Sequence, residues 1–423
     1  MSSLPPFVGP EGAETRLWER DAGGALGEIQ LAVRRVLQSI GSPDDTLLCL
    51  ALSGGPDSLS LAAALVRVAL CHPRPWDVSC LTVDHGWRPE SAAESQAAVQ
   101  CARDLGFSSA MVLRGESGGG ANGPEGEARL LRWGLLARAA IAEAKAQGKA
   151  RAVILTGHTL DDQAETVLLR LARGSSLRSI SAMREFESLD CQTGLPLRFA
   201  WREADSGVDA AVDLGLARPL LGIRRELTQA ACEQSGLVAV NDPSNRMEGP
   251  VKTAAGQPLP RAAIREQVMP ALAAALGQDP APALARLAGQ AAADDTILEM
   301  LAGEVFWEVL SDEPGDGEPG DSVKLDLTVI EGYKSHDLIR YSAPVLRRVV
   351  RRASLLAGAR VDSLTAAHLR GVVGLIHDWH GQGSLALPGI TVTRRGNFLE
   401  FVGRSSDCSD GSSPESQIGR AHV

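Results

Sequence analysis

The sequence predicts an α/β protein: a parallel-sheet domain followed by a mainly helical region. Three observations carry this. Between residues 26 and 173, short apolar runs closed by turn residues alternate with longer helical patterns, which is how βαβ units read. Two of those runs end in polar strings, Ser53-Gly54-Gly55-Pro56-Asp57-Ser58 and Gly157-His158-Thr159-Leu160-Asp161-Asp162, where a parallel sheet presents its ligand-binding edge. Beyond about Leu177 the alternation stops and helical patterns take over.

In chain order, Ile29, Val33 and Leu37 give a helix over 26–40 one apolar face. The run TLLCLAL at 46–52 reads as a fully buried strand, and 59–70 as a helix. Strands are expected at 78–83, 109–113 and 152–156, and helices over 90–105, 128–146 and 161–173. Residues 191–221 read as irregular or short-stranded. Helices follow over 223–235, 261–276, 338–356 and 365–379, with an acidic Gly/Pro loop at 312–322 and strand-like alternation over 385–402. The domain division is a flexible leader at 1–24, a parallel-sheet domain at 25–222, a mainly helical region at 223–380, a short β segment at 381–404 and a disordered tail at 405–423.

At 423 residues the chain exceeds one compact core. Its 44% hydrophobic and 22% charged content is ordinary for a globular protein. The net charge of −10 is the wrong sign for bulk phosphate binding, so any nucleic-acid contact must use a local basic face. Seven cysteines without a short-spaced pair argue against a disulfide framework, a zinc ribbon or a redox CxxC. With no basic-then-apolar N-terminus and no membrane-length apolar run, a cytoplasmic protein without membrane attachment is expected.

The first polar string carries the most chemistry. Its two glycines allow a sharp turn with backbone N–H groups facing a ligand, and the helix that follows adds free donors and a positive dipole end. That combination cradles phosphate. It is not a Walker A loop, since no GxxxxGK[ST] pattern occurs. In the second string, Asp162 and Glu165 lie three apart on one helical face, a spacing that favours a cation between them. The bland alternative is a set of acidic partners for a helix dipole. Arginines form the candidate basic face: Arg129, Arg132 and Arg138; Arg170, Arg173 and Arg178; Arg218, Arg224 and Arg225; Arg261 and Arg265; and Arg347, Arg348, Arg351 and Arg352.

SGGPDS matches the SGGxDS signature of the PP-loop ATP pyrophosphatase families. VDHGWR, GHTLDDQAET followed by LLRLARGSSLRSISAM, ARPLL and NDPSN then occur in the order found in tRNA(Ile)-lysidine synthases. The sequence resembles that family over roughly 45–272, and LPGITVTRRGNFLEFV is similar to a late strand pair of some members. Three departures stand out. Arg261-Ala262-Ala263-Ile264-Arg265 lacks the Asn usual after the first Arg, EGPVKTAAGQPLP is inserted before it, and Trp87 replaces a smaller apolar residue.

The resemblance implies an adenine nucleotide alpha hydrolase-like PP-loop fold. It also implies ATP as substrate with Mg²⁺, and free L-lysine and a CAU-anticodon tRNA(Ile) as partners; a homodimer is compatible with it. Ser53, Gly54, Gly55, Pro56, Asp57 and Ser58 would bind ATP. Asp57, Asp161, Asp162 and His158 would be catalytic, with Asp57 and Asp162 serving Mg²⁺ and Asp161 or Asp162 holding or deprotonating the lysine amine. Arg88, Arg129, Arg132, Glu165, Arg178, Arg218 and Arg265 would face lysine or tRNA. A PP-loop tRNA thiolase, a sulfonucleotide reductase and a non-catalytic nucleotide-binding module are the alternatives. The first two need reactive cysteines in supporting contexts, which the sequence lacks.

Overall fold

The computed structural model of the chain describes residues 23–84, 86, 90–115, 123–172, 176–189, 212–240, 243, 246–249, 251–253, 256–311, 322–333, 341–360 and 363–404. Expectations for the leader, the acidic loop at 312–321, the tail, His85, Trp87, Arg88, Arg173 and most of NDPSN lie outside these residues. The chain divides into two compact units, Met1–Asp295 and Thr296–Val423.

The first unit is built on a six-stranded sheet: β1 (Thr46–Ala51), β2 (Asp77–Asp84), β3 (Ser109–Arg114), β4 (Arg151–Leu155), β5 (Phe186–Leu189) and β6 (Asp213–Ala217). Their spatial order is β3-β2-β1-β4-β6-β5, parallel throughout except for the β5 edge. The parallel strands are apolar because both faces are covered. One face carries α1 (Gly24–Ile40), α2 (Pro56–Leu70), α3 (Ser91–Leu105) and α7 (Arg225–Gln234), packed around Leu48, Leu50, Leu61 and Leu65. The other face carries α4 (Gly123–Ala146), with Trp133 and Ile141 against Leu47, Cys49 and Ile154. From β1 the chain winds outward through β2 to β3, then returns to β4 on the opposite side of β1. That reversal opens a crevice at the strand ends between β1 and β4.

Helix α5 (Leu160–Ala172) leaves β4, and the single-turn α6 (Leu177–Ile180) packs on it. The expected 261–276 helix is divided: α8 (Pro260–Ala263), a π-helical turn (Ile264–Val268), then α9 (Met269–Leu276). Helix α2 starts at Pro56 rather than 59, because proline suits the first helical position, where no N–H is needed. Asp57 and Ser58 therefore sit in its first turn.

Helix α10 (Ala281–Val309) runs across the boundary between the units. The sequence pattern leaves 277–311 unassigned, because alanines and three glycines blur any apolar stripe there. In the second unit, β7 (Val323–Asp326), β8 (Leu385–Leu387), β9 (Ile390–Arg395) and β10 (Phe398–Gly403) form an antiparallel sheet in the order β7-β10-β9-β8. They share one core with the end of α10, α11 (Leu327–Tyr333), α12 (Ala343–Leu356) and α13 (Ala366–His377). The late β segment is thus not a free-standing hairpin. It needs β7, a strand too short to read from sequence, because a lone hairpin buries too little apolar surface. On α12, Val345, Val349 and Val350 face the core, while Arg348 and Arg352 on the other side reach Glu299 at 3.4 and 3.9 Å. Among the described residues no helix is long and apolar enough to cross a membrane.

Candidate active site

The phosphate loop leaves β1 at the centre of the sheet. Gly54 adopts φ +80°, a conformation glycine tolerates without steric cost. Its carbonyl accepts from Val240 N at 2.9 Å, which docks the segment after α7 onto the loop. No side chain caps the N-terminus of α2, so its first amides and dipole face the crevice. The loop is knitted by its serines. Ser58 Oγ accepts from Ser53 N at 3.3 Å, lies 3.1 Å from Ser53 Oγ and donates to Gly55 O at 3.0 Å.

The second strand end abuts this loop directly. A β-carbon on Gly157 would stand 3.0 Å from the carbonyl of Asp57 and 3.0 Å from the amide of Ser58. His158 follows, half-buried, with Nδ1 2.8 Å from Thr156 Oγ1. Its pKa is driven well below the ordinary imidazole range, first by burial and then by Arg218, Arg132 and Arg261, although Asp162 pulls the other way. His158 is therefore uncharged at neutral pH.

Three carboxylates then gather around one guanidinium. Arg225, at the start of α7, lies 2.7 Å from Asp162 Oδ1, 3.3 Å from Glu165 Oε1 and 3.5 Å from Asp57 Oδ2. Arg265 adds a bidentate pair to Glu165, at 2.7 and 3.0 Å. Asp162 also accepts from Thr159 N at 2.8 Å and Thr159 Oγ1 at 2.7 Å. Burial opposes the Asp162 charge, yet Arg225 and the Thr159 bonds hold its carboxyl below the usual range. Asp57 goes the other way. Burial raises its pKa, and the hydroxyl of Thr228 and the guanidinium of Arg225 offset this in part.

This arrangement alters several expectations. The cation beside Asp162 and Glu165 is arginine: Arg225 lies on one Asp162 oxygen and the two Thr159 donors on the other. Among the described residues, no group of three or more His, Cys, Asp or Glu side chains is arranged to hold a metal ion. Asp161 is likewise saturated: Arg224 donates to it at 3.0 to 3.2 Å and Arg225 N at 2.7 Å. Both expected amine-holding carboxylates are thus occupied by guanidinium and amide donors. Arg225 and Thr228 carry more of the site than the motifs suggest. The available signal was Arg225 in the first turn of a helix, where a cation opposes the dipole and calls for an acidic partner.

Arginines line the other wall. Arg129 and Arg132 project from α4. Arg129 is water-accessible but recessed, and its charge is destabilised first by that enclosure and then by Arg132, Arg261, Arg218 and Arg170. Arg132 is destabilised by burial and by Arg261. Such crowding of cations favours an anion. Arg218 is buried with Glu187 at 2.7 Å and donates to the Arg184 carbonyl at 2.6 Å. It therefore braces β5 at the sheet edge rather than standing open to a ligand. Arg178 lies on α6, and Arg170 ties α5 to that turn through Ser179 O and Ala182 O, at 3.0 and 2.9 Å. Asp84, at the end of β2, accepts from Ser91, Gly86 and Arg114, which closes the turn into α3.

Comparison with known proteins agrees with this geometry. Residues 29–272 match the family model of a PP-loop domain, and 336–399 match that of a TilS substrate binding domain. The tRNA(Ile)-lysidine synthase of Leifsonia xyli is 38% identical over 84% of this chain and 89% of its own. That of Mycolicibacterium paratuberculosis is 36% identical over 87% and 92%, and that of Salinispora arenicola 35% over 89% and 96%. Among solved structures, the U34-tRNA thiolase NcsA from Methanococcus maripaludis, with its [4Fe-4S] cluster, is a loose likeness. It has a TM-score of 0.42 and 16% identity over 63% of this chain and 78% of its own. On the combined evidence of the sheet, the phosphate loop and these relatives, the chain belongs to the tRNA(Ile)-lysidine synthase family.

Proposed function

We propose that this protein uses ATP to join free lysine to C2 of the first anticodon cytidine of a CAU-anticodon tRNA(Ile). The observation that carries this is the contact of Gly157 with the Asp57–Ser58 backbone. It sets the anion cradle and the arginine-lined wall on one crevice. The cytidine O2 attacks the α-phosphorus of ATP, the bond to the β,γ unit breaks, and pyrophosphate leaves. The lysine ε-amine, having released its proton to solvent water, then attacks C2. The C2–O bond breaks and AMP departs with the oxygen.

Ser53 to Ser58 and the amides of α2 hold the pyrophosphate portion, so the charge of the leaving group meets donors already in place. Asp57, whose one charged partner among the described residues is Arg225 Nε at 3.5 Å, is the carboxylate that would hold Mg²⁺, and the ion would supply neutralisation of phosphate charge. Arg129 and Arg132 attract the phosphates of tRNA and adenylate. Their field also acts on the amine. An ammonium brought among crowded guanidiniums loses its proton more readily than at its free pKa of about 10.4. A dedicated carboxylate base is then unnecessary, which suits the full engagement of Asp161 and Asp162. His158 adds an uncharged group to the same wall.

The thiolase alternative requires a reactive thiol. Burial is the first cause of raised pKa at Cys49, Cys80, Cys101 and Cys232, the last three to about 12, 11 and 11. Thiols so raised stay protonated and inert, which leaves Cys71, at the end of α2, as the one exposed thiol among the described cysteines. The decisive assay incubates the protein with ATP, Mg²⁺, lysine and tRNA, then digests the tRNA and weighs its nucleosides. A lysine adduct on cytidine is expected. A thiolated cytidine, or pyrophosphate released without tRNA, would overturn the assignment.

A further inference from the structure

Three carboxylates, Asp57, Asp162 and Glu165, face two guanidiniums, Arg225 and Arg265, so one negative charge is left over. The bond lengths place it. Asp162 has a 2.7 Å bond from Arg225 and two more from Thr159. Glu165 has the bidentate pair from Arg265 and a 3.3 Å contact from Arg225. Asp57 has the Thr228 hydroxyl and only a distant Arg225 Nε at 3.5 Å. Arg225 is therefore anchored by α5 and merely leans on the phosphate loop.

We propose that Arg225 is the resident counter-cation of the cleft, anchored by Asp162 and Glu165, and that it yields Asp57 to the divalent cation arriving with ATP. Guanidinium and metal then compete for one carboxylate, and Arg225 is a positioning residue acting through Asp57. With the metal absent, it keeps three carboxylates from repelling one another and splaying the loop away from α5. With nucleotide bound, its withdrawal from Asp57 leaves Asp162 and Glu165 held and the wall intact. The inference rests on the proposed function in one respect: that a metal-bound nucleotide enters at Asp57.

The test is binding of Mn²⁺, read as loss of the free-ion EPR signal, in the full-length protein with an ATP analogue methylene-bridged between the α and β phosphorus. Arg225→Gln removes the competing charge, so Mn²⁺ affinity should rise about tenfold, as expected for loss of one adjacent cation. Arg225→Lys restores a cation and should return the affinity to near the parental value. Turnover with tRNA and lysine should fall in Arg225→Gln, because the carboxylates lose their centre. A purely structural role would lower the melting temperature without tightening Mn²⁺. Unchanged or weakened Mn²⁺ binding in a folded Arg225→Gln protein overturns the proposal even where the parent forms the lysine adduct. If Arg225→Gln does not fold, the Arg225 side-chain Nε resonance of the parent decides. It should shift when diamagnetic Mg²⁺ is added with the analogue present, and a fixed resonance refutes the competition. A parent that forms adduct yet binds no metal at Asp57, judged against Asp57→Asn, refutes the proposal and leaves the reaction standing.

Discussion

Gly157 lies against Asp57 so closely that a β-carbon would stand 3.0 Å from the Asp57 carbonyl. That spacing joins the end of β4 to the phosphate loop, and any side chain at 157 would have to displace the loop backbone by a few tenths of an ångström. The atoms a methyl would meet are backbone atoms of a first helical turn, which cannot rotate aside. Gly157→Ala should therefore push the loop off its position at a cost of about 1–3 kcal/mol. The expected outcome is a tenfold or greater loss of ATP affinity by calorimetry, with a melting temperature only a few degrees lower. Unchanged ATP affinity would show that the two strand ends do not share one site.

Asp57 should make stability depend on pH with an unusual sign. Its folded pKa is raised, chiefly by burial. As pH rises from below about 4, the unfolded chain releases this proton first, near the free carboxylate value. The folded form is therefore progressively disfavoured until pH passes the raised folded value, and the loss persists above it. Asp57→Asn keeps an acceptor for Thr228 but cannot ionise. Its melting temperature should match the parent below about pH 4 and exceed it at neutral pH. A parallel pH dependence in both proteins would refute the raised pKa.

The crowding on α4 makes a trade-off measurable. Arg132→Gln relieves repulsion with Arg261 and should raise the melting temperature while weakening tRNA binding. The slope of log affinity against log salt should fall by about one. At Arg129, where four arginines press on the charge, lysine should titrate below its ordinary value of about 10.4. Arg129→Lys should thus lose tRNA affinity at a lower pH than the parent, because the same crowding acts on a side chain that gives up its proton more readily than arginine. A level profile in the lysine variant would mean that the enclosure is absent.

Arg218 tests the difference between a ligand contact and an internal brace. Its ion pair with Glu187 is almost wholly buried on both sides. Arg218→Met alone should cost about 3–5 kcal/mol by taking the guanidinium from a buried carboxylate, whereas Arg218→Met with Glu187→Leu should be near neutral. Chemical denaturation of the three proteins measures this. If the double variant keeps its stability yet loses turnover entirely, Arg218 is a substrate ligand instead of a brace.

Much of this molecule was legible in its sequence, because local rules decided it. The buried strand at 46–52 is too apolar to sit anywhere but a covered sheet, and SGGPDS after it can only turn sharply and open a helix. GHTLDDQAET placed polar groups at a second strand end by the same logic. Other features were decided by packing between distant segments. The spacing of Asp162 and Glu165 announced a cation, but not that Arg225, sixty residues later, would be that cation, because electrostatics selects a partner by distance in space. Ser-free helix starts and Ala-rich runs hid α10, and four-residue β7 became a strand only because β10 and α12 offered it a partner and a core. Local pattern set the cradle and the sheet, while the charges around them were assigned by the fold, since a guanidinium and a carboxylate find each other only after the strands have aligned.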